Sequence, residues 1–161
     1  MNTTDQPFHV PVLLEESIQS LDLHAGDVVV DGTFGGGGHS GALLAACPDI
    51  TLICVDLDES AKERFEASVL AQKALFVQSN FKDADVILAA ALKDHADKVL
   101  LDLGTSTFQL LRDDRGFSFN TDTPLRMTFA HAGSHTGITA WDIANEWEET
   151  SIADVIYAYG E

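Results

Sequence analysis

The sequence Asp31-Gly32-Thr33-Phe34-Gly35-Gly36-Gly37-Gly38-His39-Ser40 decides how the rest of the chain is arranged. An apolar segment at 28–30 precedes it and a helical pattern at 41–46 follows it, so the order is strand, glycine loop, helix. Because glycine has no Cβ atom, such a loop can approach a ligand closely, and the first amides of the helix are unpaired and partly positive. A nucleotide-like ligand fits these properties. A glycine turn that binds nothing is the alternative.

The composition indicates a single globular domain. The chain has 161 residues, 45% of them hydrophobic. No apolar run reaches the roughly 18 residues of a membrane helix, and the N-terminus has no signal sequence, so we expect a cytoplasmic protein without a membrane partner. The net charge is −17, from 26 acidic and 9 basic residues, which argues against a general nucleic-acid binder. Cys47 and Cys54 are expected to be buried thiols.

The segment 103–137 shows no helical or strand period, although it contains several large apolar side chains. Unstructured loops longer than roughly 15 residues are usually functional or disordered, and we interpret this one as a binding loop. Three of the four arginines lie in it, so an anionic partner should dock there. His131 and His135 are spaced i, i+4 without a third ligand nearby, and no metal site is expected.

The predicted elements alternate between helix and strand. They are a helix over 9–21, then strands at 27–31, 50–56, 75–78 and 99–102, separated by helices at 39–47, 58–71 and 83–92, and finally helices that start near 139 and 151. In the helix over 83–92, Val86, Ile87, Ala90 and Ala91 are expected to face inward. This alternation predicts an α/β fold with a doubly wound parallel sheet in the strand order 3-2-1-4.

Polar residues end all four predicted strands, namely Asp31, Asp56, Asn80 and Asp102. Ligands of such sheets bind beyond the carboxyl ends of the strands, so three carboxylates should meet there and favour a ligand rich in hydroxyl and amine donors. Strand four would be an open apolar edge, which invites association. We therefore expect a fragment or half of an assembly, with a homo-oligomer partner or a missing second half covering strand four.

The glycine loop alone permits NAD, FAD or S-adenosylmethionine. Residues 36–41 satisfy the pattern G-x-G-x-x-G, and Asp56 follows Gly36 by 20 residues, the spacing of a ribose-binding acid. A dinucleotide site, however, brings the glycine turn directly off the strand, and Asp31 would repel a pyrophosphate. The same acid would attract an amino group or a sulfonium, while Phe81 would cover an adenine. These details favour S-adenosylmethionine over an NAD- or FAD-linked oxidoreductase.

Several short motifs between residue 9 and the last residue indicate a family resemblance. They are the glycine loop, the segments 9–16, 56–58, 80–81, 101–104, 115–119 and 159–161, and Gln109. Together they resemble the bacterial 16S ribosomal RNA cytosine-N4 methyltransferase family of the MraW type. Two segments depart from the family pattern: Thr105-Ser106-Thr107-Phe108 replaces Val-Ser-Ser-Pro, and Arg126-Met127-Thr128 replaces Asp-Met-Arg.

The resemblance implies a Rossmann-like class I methyltransferase fold that uses S-adenosylmethionine to methylate a decoding-centre cytosine of 16S rRNA in the small ribosomal subunit. It implies that residues 1–137 form the cofactor-binding part with a substrate loop over 103–137, and that 138–161 begin a helical substrate region that continues in family members. The implied cofactor contacts are Gly37, Gly38, His39, Asp56, Phe81, Asp102 and Gln109.

For the chemistry, Asp102 is our candidate acceptor for the hydrogens of the cytosine amino group, and a cofactor hydrogen bond is its competing role. Phe108, Phe117 or Phe119 would stack on the unpaired base, or would instead anchor the loop in a small apolar cluster. Candidate phosphate contacts are Arg112, Arg115 and Arg126. A truncated, inactive cofactor-binding fragment is the non-enzymatic alternative.

Overall fold

The computed structural model describes residues 11–105, 115–129 and 137–160. The chain divides into two compact units, Met1–Gly104 and Thr105–Glu161. The second unit therefore begins close to the start of the predicted substrate loop. The predicted functional boundary at residue 137 stays a prediction.

The first unit is an α/β domain built on four parallel strands in the order β3-β2-β1-β4. This order confirms the fold predicted from the alternation of elements. The elements are α1 Leu14–Ser20, β1 Val28–Asp31, α2 Gly38–Ala46, β2 Thr51–Asp56, α3 Glu59–Glu66, a 3-10 helix Val69–Gln72, β3 Leu75–Gln78, α4 Ala84–Ala90 and β4 Lys98–Leu100.

The central strand β1 is buried on both faces of the sheet. Val29 packs with Leu52 in a cluster on one face, whereas Val30 packs with Ile53 and Ile87 in a cluster on the other. Successive side chains of a strand point to opposite faces, so an apolar run is what a doubly covered parallel strand requires. The core therefore fixes β1, and with it the start of the glycine loop.

Two sequence predictions about helices are wrong. The helix predicted over 58–71 ends at Glu66, because Ser68 caps the separate 3-10 helix by accepting from the Leu70 amide and donates to the Phe65 carbonyl oxygen. Serine competes with the helix for backbone partners in this way. In α4 and just after it, Ile87 is 2% exposed as predicted and Ala91 is partly buried, but Val86 is 55% exposed and Ala90 is also exposed. Only one side of this seven-residue helix contacts the sheet cluster.

In the second unit, α5 spans Ala140–Glu146 and α6 spans Glu149–Tyr159. Thr139 and Asp142 form a reciprocal capping box at the start of α5, which confirms the predicted helix start. No helix in the described part of the chain has the length and apolar character needed to cross a membrane.

Candidate cofactor site

Phe34 anchors the glycine loop to the core. Its amide donates to the carbonyl oxygen of Val55 at 2.9 Å, and its ring packs edge-on against Phe65 and Phe76, with centroid separations of 5.6 Å. The carbonyl oxygen of Phe34 then accepts a hydrogen bond from the Gly37 amide at 2.7 Å, which closes a tight turn. The hydrogen bonds of Phe34 and the packing of its ring in the core therefore fix the conformation of the glycine loop.

Gly37 sits at the point where the loop turns into α2. Its φ is +79°, and a Cβ atom here would lie 2.8 Å from Cζ of Phe34. Both facts require glycine. Gly37, at the N-cap position, has no side chain with which to cap α2. Because the first amides of a helix have no partner within it, those of Gly38 and His39 are available to a polar ligand.

Asp56 and Arg64 hold Gly35 from two sides. Asp56 accepts from the Gly35 amide through Oδ2 at 2.8 Å and from the Asp58 amide through Oδ1 at 2.9 Å. Arg64 donates through Nε to the carbonyl oxygen of Gly35 at 3.0 Å. Burial raises the pKa of Asp56, while the two amides and the Arg64 charge oppose that rise. Each carboxylate oxygen has a further lone pair, so Asp56 can shape the loop and still accept from a ligand.

Asp31 lies behind the loop and is fully buried. It accepts a hydrogen bond from Ser40 Oγ at 2.6 Å and another from the Thr33 amide at 3.2 Å. Burial raises the pKa of this carboxyl, and the two hydrogen bonds and the nearby His39 work in the opposite direction. This position does not support the expected direct contact of Asp31 with a ligand amino group or sulfonium. Its bonds are internal to the loop.

His39 and Asp102 meet where β1 and β4 end. The His39 side chain is 7% exposed, and its Nδ1 lies 3.8 Å from Oδ2 of Asp102, whose side chain is 49% exposed. Among the described residues, no group forms a hydrogen bond with Nε2 of His39, although this atom is buried. Buried polar atoms are nearly always paired, so an unpaired nitrogen at this edge is consistent with a ligand contact.

Phe81 reaches the same edge through close packing. It is 44% exposed. A Cβ atom on Gly32 would lie 3.1 Å from Cβ of Phe81 and 2.5 Å from Cδ2 of Leu101. Phe81 is therefore next to the start of the glycine loop and partly exposed there.

The structure thus brings six of the seven predicted cofactor residues to the carboxyl edge of the sheet. They are Gly37, Gly38, His39, Asp56, Phe81 and Asp102. Their contacts with a cofactor stay predictions. Gln109, Phe108 and Arg112 lie outside the described residues.

The remaining substrate candidates belong to the second unit. Arg115 is 3% exposed and donates to the carbonyl oxygen of Phe129, and its own carbonyl oxygen accepts from the Met127 amide. Phe117 packs on Phe129 with centroids 5.8 Å apart. These contacts favour the loop-anchoring alternative for Phe117 and an internal role for Arg115. Arg126 is partly buried, and Phe119 is 98% exposed. Contacts of these residues with RNA stay predictions.

Sequence reasoning missed Thr33 and Arg64. Thr33 accepts a hydrogen bond from the Asp102 amide, and Arg64 binds the Gly35 carbonyl oxygen. The only sequence signal for Arg64 is its position as the one arginine outside the long loop, at the end of a helix that follows Asp56. Thr33 lies within the quoted loop, but nothing in the sequence indicates its distant partner.

The chain matches the model of the MraW methylase family over residues 6–161. It belongs to this family. Three curated relatives carry the name "Ribosomal RNA small subunit methyltransferase H". That from Methylobacterium sp. (strain 4-46) is 44% identical over 95% of this chain and 45% of its own length. The one from Methylorubrum extorquens (strain PA1) is 40% identical over 97% of this chain and 44% of its own length. The relative from Syntrophus aciditrophicus (strain SB) is 39% identical over 96% of this chain and 49% of its own length.

The chain therefore spans somewhat less than half the length of these relatives. The family match confirms the resemblance drawn from the motifs and does not favour the NAD- or FAD-linked alternative.

Proposed function

We propose that this chain forms the cofactor-binding part of an S-adenosylmethionine-dependent methyltransferase that acts on the N4 amino group of a decoding-centre cytosine in 16S rRNA. Within a chain of the MraW family, the arrangement of a shaped glycine loop, an uncapped α2 and the unpaired Nε2 of His39 at one sheet edge is the observation that supports this function most. Small ribosomal subunits are the proposed partner.

The residues at this edge fit S-adenosylmethionine. The remaining lone pairs of Asp56 would accept from ribose hydroxyls, and the partly exposed Phe81 would cover the adenine. The uncapped amides of Gly38 and His39 suit a carboxylate, since the first turn of a helix favours negative charge. When bound, S-adenosylmethionine supplies an electrophilic methyl group on a positively charged sulfur.

Asp102 is the residue we assign to the cytosine amino group. This nitrogen is a poor nucleophile because its lone pair is delocalised into the ring, so an acceptor for its hydrogens helps to localise the lone pair and later takes a proton. The Asp102 carboxylate is half exposed at the sheet edge, which leaves it accessible to a base. A hydrogen bond to the cofactor is its competing role. The protein must also hold the amino nitrogen about 3–3.5 Å from the methyl carbon.

The acidity of the chain bears on its RNA partner. Phosphate neutralisation supplies most non-specific affinity for RNA, and this chain offers nine basic residues against 26 acidic ones. Of its four arginines, Arg64 is engaged by the glycine loop and Arg115 is buried. We therefore expect that this chain alone binds RNA weakly, and that recognition of the subunit depends on further contacts.

Calorimetric titration of the chain with S-adenosylmethionine and, separately, with NADH tests the cofactor. We expect one site for S-adenosylmethionine and none for NADH, and the reverse result would overturn the proposal. Incubation with undermethylated small subunits and labelled cofactor tests the reaction. Label on the N4 position of one cytosine is the expected result, whereas cofactor binding without any transfer would support the inactive-fragment alternative.

A further inference from the structure

Thr33 joins the glycine loop to the end of β4. Its Oγ1 accepts a hydrogen bond from the Asp102 amide at 2.7 Å, across 69 residues of sequence. The ladder between β1 and β4 ends with the bond from the Gly32 amide to the Leu100 carbonyl oxygen, and residues 101–105 beyond it are exposed. The Thr33 hydroxyl therefore holds the chain at the point where it leaves the sheet.

Thr33 is itself fixed by buried groups. Its amide donates to Oδ1 of Asp31 at 3.2 Å, and Oδ2 of Asp31 accepts from Ser40 Oγ in α2 at 2.6 Å. Asp31 and Ser40 are both fully buried. Threonine is β-branched, which restricts its χ1 and hence the position of its hydroxyl. A rigid path thus runs from α2 through Asp31 and Thr33 to the backbone of Asp102.

The side chain of Asp102 has a looser environment than its backbone. It is half exposed, and its 3.8 Å separation from Nδ1 of His39 is longer than a hydrogen bond. The bond to Thr33 is therefore the main polar restraint on Asp102 that the described residues provide. Displacements of about 1 Å at a reacting group are enough to reduce rates strongly, so loss of this restraint on Asp102 should reduce the function of that residue.

We propose that Thr33 is the positioning residue for Asp102, which it holds at the cofactor edge through its hydroxyl. This inference rests on the proposed function, because it assigns Thr33 a role in cofactor binding and transfer that acts only through Asp102.

Amide hydrogen exchange of the ligand-free chain tests the restraint directly. Thr33→Val keeps the shape and removes the oxygen, and Thr33→Ser keeps the oxygen. We expect exchange at Asp102 to rise about two- to tenfold in Thr33→Val, the range for one net hydrogen bond, and to stay near wild type in Thr33→Ser. Unchanged exchange at Asp102 in Thr33→Val would overturn the inference. Thr33→Ala replaces the valine variant if the latter does not fold.

A double-mutant cycle with Asp102→Ala tests the functional part. The cycle is measured as transfer to the small subunit, which depends on the assigned role of Asp102 at the cytosine amino group, and as affinity for S-adenosylmethionine, which depends on its competing role. Thr33→Val alone should lower at least one of the two about two- to tenfold, as expected for one hydrogen bond. In the Asp102→Ala background it should have no further effect, because a residue that acts through another couples fully to it. A purely structural role would instead weaken binding equally in both backgrounds, and that result would overturn the inference.

The two readouts separate the inference from the proposed function. A wild-type chain with no affinity for S-adenosylmethionine would refute the proposed function, and the exchange experiment would still decide whether Thr33 holds Asp102. Normal cofactor binding with equal affinity in wild type and Thr33→Val would refute the role of Thr33 in that binding and leave the proposed function standing.

Discussion

The carboxylate of Asp56 accepts a hydrogen bond from the Gly35 amide at 2.8 Å, across 21 residues of sequence. A residue that sequence patterns assign to a ribose thus also shapes the loop that would surround the cofactor. Its other oxygen accepts from the Asp58 amide at the start of α3, so the same carboxylate also joins the loop to that helix. The loop and the strand end are one unit, and changes at Asp56 should affect stability and ligand binding together.

Replacing Asp56 by alanine should lower both the stability of the chain and its affinity for S-adenosylmethionine. The amides of Gly35 and Asp58 lose their acceptor, and a buried unsatisfied donor costs about 1–3 kcal/mol, so we expect a loss of about 2–3 kcal/mol in the free energy of unfolding. Urea unfolding and calorimetry with S-adenosylmethionine measure the two effects. Asp49→Ala at an exposed position is the control. Equal unfolding midpoints for the two variants would contradict this role of Asp56.

Arg64→Met should loosen the glycine loop from its other side. The variant removes the charged donor to the Gly35 carbonyl oxygen, and hydrogen bonds to charged groups contribute about 1.5–3 kcal/mol. We expect a lower unfolding midpoint and weaker binding of S-adenosylmethionine. Lys62→Met on the same helix is the matched control, because among the described residues Lys62 pairs with Glu66 alone, in an exposed ion pair at 4.0 Å. A loss of affinity in the Lys62 variant as large as in the Arg64 variant would argue against a local effect.

Substitution by alanine should change the stability of the protein in opposite directions at Gly37, just before α2, and at Gly41, within it. Gly37→Ala places a Cβ atom 2.8 Å from the Phe34 ring at a φ of +79°, and we expect a loss of about 1–3 kcal/mol in stability. Gly41 lies within α2, and a Cβ atom there meets nothing within 4 Å, so Gly41→Ala should gain about 0.5–1 kcal/mol. Thermal unfolding measures both. A Gly37→Ala protein as stable as Gly41→Ala would show that the loop can rearrange.

Asp31→Asn should change how stability depends on pH. Burial raises the pKa of Asp31 above its ordinary value of 3.8, so in the interval above 3.8 the folded chain binds more proton at this group than the unfolded chain. The contribution of Asp31 to the free energy of unfolding therefore falls as the pH rises through that interval. Asparagine cannot ionise, so the stability of the variant relative to wild type should rise over the same interval.

Urea unfolding at a series of pH values from 3.8 upward measures this difference. Burial also raises the pKa of Asp56, which adds a slope of the same sign in both proteins. Because the charges of Asp31 and Asp56 repel each other, the difference between the two proteins reports Asp31 together with its effect on Asp56. Asp49→Asn, at an exposed position, should keep the wild-type slope. A parallel pH dependence of Asp31→Asn and wild type would contradict a raised pKa for Asp31.

The sheet was predictable because its determinants are local. The first three strands are short apolar runs that end in a polar residue, and the connection rules for parallel strands leave the order 3-2-1-4 as the expected arrangement. The start of α3 near Asp58 was predictable for the same reason, since the capping side chain of Asp58 accepts from the Ser60 amide only two residues away. The edge at which the candidate site lies follows directly from this topology.

The contacts that shape the site were not predictable, because they join distant parts of the chain. Thr33 and Asp102 are 69 residues apart, and Arg64 and Gly35 are 29 apart. Neither pair forms a sequence pattern. Burial was misjudged for a related reason. Asp31 ends a strand as Asp56 does, yet Ser40 lies close enough to satisfy it inside the loop, which turns a ligand candidate into an internal one.

The place of β1 in the sheet has a consequence for synthesis of the chain. Its second neighbour is β4, and the Val28 amide at the start of β1 binds the carboxylate of Asp97, 69 residues later. At about 5–20 residues per second, a nascent chain would hold one edge of this fully buried strand unpaired for on the order of several seconds. During this interval an exposed strand edge can pair wrongly. Nascent chains that stop before β4 should therefore be the species that chaperones capture.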